Sequence, residues 1–90
     1  MFGFDFSDEL KLKVRKLLKK DNKKVEIINN KVKDIVKCSP EEIMHYKNLR
    51  HDMLGLKRVH INAHFVLTFR IDLKNNFVLF VDFDHHDKVY

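Results

Sequence analysis

Between Val59 and Ile71 apolar and polar side chains mostly alternate. Val59, Ile61, Phe65, Leu67, Phe69 and Ile71 take odd positions, and Arg58, His60, His64, Thr68 and Arg70 take even ones. A period of two is that of a half-buried strand, and the stretch from Leu56 to Ile71 reads as a β-hairpin. A two-residue turn at Asn62-Ala63 would set His60 opposite Phe65, on the core side. A three-residue loop, Asn62-Ala63-His64, pairs Ile61 with Phe65 and His60 with Val66. It keeps the apolar side chains together and is the register expected. One face then builds a core. The other presents Arg58, His60 and Arg70, with His64 at the loop.

The flanking segments carry other periods. Phe2-Gly3-Phe4-Asp5-Phe6 alternates as a short first strand. Ser7 is a plausible N-cap, followed by Asp8 and Glu9 in a first turn. Leu10, Val14, Leu17 and Leu18 then follow helical spacing. Asp21-Asn22 interrupts, Asn22 could cap a second helix, and Val25, Ile28, Val32, Ile35 and Val36 form that helix's stripe. Ser39-Pro40-Glu41-Glu42 has a Ser cap, Pro at the first position and Glu at the third, which starts a short helix over residues 40–46. Residues 47–55 read as a connecting loop. After the turn-rich Asp72-Leu73-Lys74-Asn75-Asn76, Phe77 to Phe83 reads as a final strand. Phe77, Leu79, Val81 and Phe83 are expected on its core face. Val78, Phe80, Asp82 and Asp84 are expected on the face of Arg58 and His60. The order β-α-α-β-β-β predicts an α+β fold, a helical hairpin on one face of an antiparallel sheet, with the other face open.

Size and charge narrow this picture. Ninety residues make one domain, residues 1–90, which buries about 60–65% of its unfolded surface. The single Cys38 excludes an internal disulfide and fits a reducing, cytoplasmic setting. No apolar run nears the roughly 20 residues of a membrane span, and the start does not read as a signal peptide. The net charge of +5 is uneven: residues 1–38 hold eleven Lys or Arg against six Asp or Glu, while all six histidines lie from His45 onward. A basic half beside a histidine-rich half suggests a polyanion partner and proton-transfer chemistry. The alternative is a solvated lysine face on helices. His85-His86 beside Asp84 and Asp87 could suggest a metal cluster. Adjacent strand positions point to opposite faces, however, so no metal is expected there.

The second half, from about Tyr46 to Tyr90, resembles the RelE superfamily of toxins from bacterial and archaeal toxin–antitoxin pairs. The carriers are Lys47-x-Leu49, Gly55-x-Lys57-Arg58-Val59-His60-Ile61, Phe65-Val66-Leu67-Thr68-Phe69-Arg70-Ile71, and the terminal His86-Asp87-Lys88-Val89-Tyr90. The N-terminal half matches by architecture alone. The resemblance implies a RelE/ParE-like, microbial RNase-like fold and a ribonuclease that cuts the codon in the ribosomal A site. It implies a cognate RelB-like antitoxin as partner, no membrane and no small-molecule cofactor. The histidine content is closest to the YafQ-like branch. There His60 and His86 fall on catalytic histidines, His64 stands where that branch has an aspartate, and Lys47 stands where it has a further histidine. Against the lysine-rich prototype, Arg58 and His60 fall on two strand lysines, Val66 on an arginine and Tyr90 on a C-terminal tyrosine.

Metal-free RNA cleavage needs a base for the 2′-OH, cations or donors for the charge built at phosphorus, and an acid for the leaving 5′-oxygen. The resemblance gives the proton transfers to His60 and His86, with His64 at the site's edge. It gives the phosphate to Arg58 with Arg70 or Lys57, and stacking or a hydrogen bond to Tyr90. Lys47, with Lys13, Lys16 and Lys20 on the first helix, would contact RNA. A non-catalytic gyrase inhibitor of the ParE type, or a plain RNA- or ribosome-binding module, are the other classes this fold and charge allow.

Overall fold

The computed structural model describes residues 1–48 and 55–85. The elements are β1 (Gly3–Phe6), α1 (Asp8–Lys20), α2 (Asn22–Val36), α3 (Pro40–Ile43), β2 (Leu56–His60), β3 (Phe65–Asp72) and β4 (Phe77–His85). Each helix starts where a side chain captures an orphan backbone N–H. Ser7 Oγ accepts from Leu10 N at 3.1 Å. At α2 the cap is Asp21 rather than Asn22, with its carboxylate accepting from Lys24 N at 3.1 Å. At α3 the capping box is complete: Glu42 N donates to Ser39 Oγ, and Ser39 N donates to Glu42 Oε1. Those hydrogen bonds hold the Glu42 carboxyl below the usual carboxylate range. The α3 helix stops at Ile43, short of the expected Tyr46. Tyr46 still anchors to the sheet, its ring meeting Phe69 edge-on at 5.5 Å.

The sheet order is β1-β4-β3-β2. Both β2–β3 and β3–β4 are antiparallel, as expected, but β1 runs parallel to β4, so the sheet is mixed. A parallel partner is available because α1, α2 and α3 intervene and return the chain to the sheet. The hairpin takes the three-residue loop: His60 pairs with Val66, and Ile61 N donates to Phe65 O at 2.9 Å. Asn62 Oδ1 accepts from both His64 N and Phe65 N, which closes the loop as an Asx turn.

The helices cover one face. Val25, Ile28, Val32, Ile35 and Val36 of α2 are buried, and so is Leu10 of α1. Val14 and Leu17 pack at the margin. Leu18, expected in the same stripe, is half exposed at 52%. From the sheet, Ile61, Leu67, Phe69, Val78, Phe80 and Phe83 complete the core.

That list corrects the reading of β4. Val78 and Phe80 were expected on the open face, but both are fully buried in the core. The cause is a bulge. Thr68 pairs with Asp82 but Phe69 pairs with Phe80, so Val81 is an extra residue in β4. One extra residue reverses the side-chain parity. Before the bulge the even positions face the core and Phe77 and Leu79 face away. After it Phe83 faces the core, and Asp82 and Asp84 face away, as expected.

Beyond Phe80, no strand among the described residues lies on the outer side of β4, and α1 takes over. Ser7 N donates to Phe80 O at 2.8 Å, and Ser7 Oγ donates to Val81 O at 2.5 Å. Lys13 Nζ donates to Phe83 O at 3.1 Å. Phe83 N and His85 N are met by the carboxylates of Asp82 and Asp84, at 2.9 and 2.8 Å. A bare strand edge is thus closed by side chains.

Candidate nucleic-acid site

On the face away from the helices the register sets three rows across β2, β3 and β4. They are Leu56–Arg70–Leu79, Arg58–Thr68–Asp82 and His60–Val66–Asp84. Arg58, Arg70 and His60 therefore share one surface, as the alternation predicts. His60 and Arg70 are exposed, and Arg58 is partly covered. Val66 and Thr68 form a buried floor between the flanking strands. Val66 stands where the RelE prototype has an arginine. Arg70, four residues along, places an exposed cation on the same face.

Arg58 is held from the side. Its backbone N donates to Lys47 O at 2.9 Å and its Nε to Asn48 O at 3.2 Å. Asn48 also bridges to Lys57, so the outer edge of β2 is closed. The exposed Lys47 thereby lies beside Arg58.

Lys57 is placed differently. It pairs with Phe69, on the core-facing parity, and is only 6% exposed. Its Nζ donates to Met44 O at 3.2 Å, at the end of α3. It does not share the surface of Arg58 and His60.

At the loop, His64 stacks on His85 with ring centroids 5.9 Å apart and planes 14° apart. Phe65 stacks on Phe83 at 5.0 Å and meets the His85 ring edge-on. Lys24 Nζ lies 4.0 Å above the Phe65 ring, a cation–π contact. Lys16 and Lys20, both exposed, line with Leu17, Phe65 and Phe83 a cleft of about 240 Å³ between α1 and the sheet.

Lys13 lies in that cleft too, but its ammonium is taken. Nζ is 2.7 Å from Asp82 Oδ1 and 3.5 Å from Asp84 Oδ2. Burial acts against its charge, yet the hydrogen bond and charge of Asp82, with Asp84 behind it, outweigh burial and raise its pKa. Sequence reading did not find this cluster. Sixty-nine residues separate Lys13 from Asp82, and the only local sign was Asp82-x-Asp84 on one strand face opposite a lysine-rich helix.

Of the remaining expected site residues, His86 and Tyr90 lie outside the described residues. Cys38 shares a recess with Glu42, His45 and Tyr46. Burial and the charge of Glu42 push its thiol pKa up, away from nucleophilic thiolate. Among the described residues no three metal-ligating side chains converge, and no helix is long and apolar enough to cross a membrane.

A helical hairpin on a four-stranded sheet with a cationic open face is the fold of a class of small toxins. The solved YoeB/ParE toxin from Agrobacterium tumefaciens matches 94% of this chain with 99% of its own, at a TM-score of 0.76 and 14% identity. A chain of the E. coli DinJ-YafQ complex matches all of it with 99% of its own, at a TM-score of 0.66 and 14% identity. No family model matches the sequence. A Methanocaldococcus jannaschii protein provisionally named toxin RelE4 is 44% identical over 90 residues, which cover 100% of this chain and 92% of that protein. The chain belongs to the RelE superfamily of toxins.

Proposed function

We propose that this toxin is a ribosome-dependent mRNA endoribonuclease that cuts codons in the A site without a metal. The observation that carries the reading is the exposed His60 on the same sheet surface as Arg58 and Arg70. In the reaction a base removes the 2′-OH proton, the 2′-oxygen attacks phosphorus, and the bond to the 5′-oxygen breaks as an acid protonates it. The products are a 2′,3′-cyclic phosphate and a 5′-OH. His60 takes one proton-transfer role and His86 the other, each worth ~10²–10⁴-fold in rate. Arg58 and Arg70 hold the phosphate through charge-assisted hydrogen bonds. His64 borders the site, Tyr90 stacks on a base, and Lys47, Lys16 and Lys20 contact RNA along its path. A cognate RelB-like antitoxin neutralises the toxin; the solution of one structural neighbour as a DinJ-YafQ complex supports such a partner.

The test is cleavage mapping by primer extension in a cell-free translation reaction with a defined message. Wild type, His60→Ala and His86→Ala run beside a naked-message control. Cuts within codons, absent from naked message and at least ~10²-fold weaker in His60→Ala, are expected. Arrest of translation without cuts, or full cleavage by both variants, overturns the reading.

A further inference from the structure

Asp82 is the residue that the proposed site does not explain. Register places it in the row of Arg58, with only Thr68 between them. Two strand spacings separate such positions by roughly 9.5 Å. An extended arginine and an aspartate can close that gap above a side chain as small as threonine. A carboxylate there would occupy the guanidinium that the proposed chemistry assigns to phosphate. In the structure it does not reach across. Its Oδ1 accepts from Phe83 N at 2.9 Å and from Lys13 Nζ at 2.7 Å, both at the β4 edge on the α1 side. Lys13 is fixed there by a third contact, to Phe83 O.

We infer that Lys13 is a positioning residue that holds the Asp82 carboxylate over the β4 edge and so keeps it off Arg58, the phosphate-binding cation. This rests on the proposed role of Arg58. It gives Lys13 a function without RNA contact, and it explains how a face that must receive a polyanion tolerates a carboxylate in the arginine's own row. Thr68 contributes by its size and by its hydroxyl, which donates to Asp82 O at 3.3 Å rather than standing between the two charges.

The test is a double-mutant cycle read on ribosomes programmed with a defined message. Lys13→Met, Asp82→Asn and the double variant are compared with wild type for the toxin concentration that gives half-maximal cleavage. Unfolding midpoints are measured in parallel. Lys13→Met should raise that concentration roughly tenfold, the scale of a lost charge-assisted contact. In the Asp82→Asn background the same substitution should change it by less than about twofold. The unfolding midpoint should not recover in the double variant, because removing the second half of a clamp does not restore the clamp. Recovery of cleavage without recovery of stability therefore separates positioning from a structural role. An equal loss in both backgrounds makes Lys13 a direct RNA contact and overturns the inference, as does no loss from Lys13→Met. If wild type cuts nothing on ribosomes, the proposed function falls and this inference with it. If wild type cuts and the cycle is additive, the inference falls alone.

Discussion

Lys57 and Arg58 are neighbours in sequence, yet their side chains leave β2 on opposite sides, and their substitutions should separate accordingly. Lys57 sits on the core-facing parity with its head on the Met44 carbonyl. Lys57→Ala should cost about 2 kcal/mol of stability, from lost stem packing and an orphaned carbonyl, read by urea unfolding. Lys57→Met, which keeps the stem, should cost about half of that. Arg58→Ala should instead slow cleavage on ribosomes by roughly 10²-fold, the usual loss for one preorganised donor at a charged transition state. The alternation in the sequence already placed Arg58, His60 and Arg70 together. It also placed Lys57 on the other side, although the resemblance had offered it to the phosphate as an alternative to Arg70. A buried ammonium on a helix-end carbonyl is a tertiary contact that no local pattern announces.

At the scale of elements, caps and turns were the most legible features, because a few adjacent residues determine them. The Ser39–Glu42 box formed as read, and Asp72 closes the β3–β4 turn by accepting from Asn75 N and Asn75 Nδ2. These hydrogen bonds hold the Glu42 and Asp72 carboxyls below the usual range. Each therefore binds its proton more weakly folded than unfolded. Their stabilisation is present above the ordinary carboxylate pKa of ~4 and is lost as pH falls through the depressed folded values. The unfolding midpoint should drop as pH falls below about 4, and a Glu42→Gln, Asp72→Asn double variant should show a shallower drop. Lys13 has the opposite sign: its raised pKa makes its contribution full below the ordinary lysine value and lost in alkali. The β4 parity was not legible. Its seven residues from Phe77 to Phe83 are all apolar except Asp82, so they mark no change of face if read alone, and the Val81 bulge exists only in the pairing with β3. The bulge is what lets Phe80 and Phe83, three apart, both enter the core. The parallel direction of β1 was hidden for the same reason, since a four-residue strand carries no sign of its partner's direction.

For the molecule as a whole, the decisive feature is that the first strand pairs with the last. Phe2 N donates to Val36 O, Gly3 N to Asn76 O, and Asn76 Nδ2 to Met1 O, so the N-terminus is fastened at the start of β4. A chain ending at residue 76 should lack a cooperative unfolding transition, as followed by far-UV circular dichroism in urea, although its α2 stripe and β2–β3 hairpin are intact in sequence. Synthesis runs from the N-terminus. While residues 77–85 are still inside the ribosome that is making them, β1 has no neighbour, Lys13 has no carboxylate, and the three rows of the open face lack their third strand. The open face is therefore complete only once β4 has emerged and paired with β1 and β3.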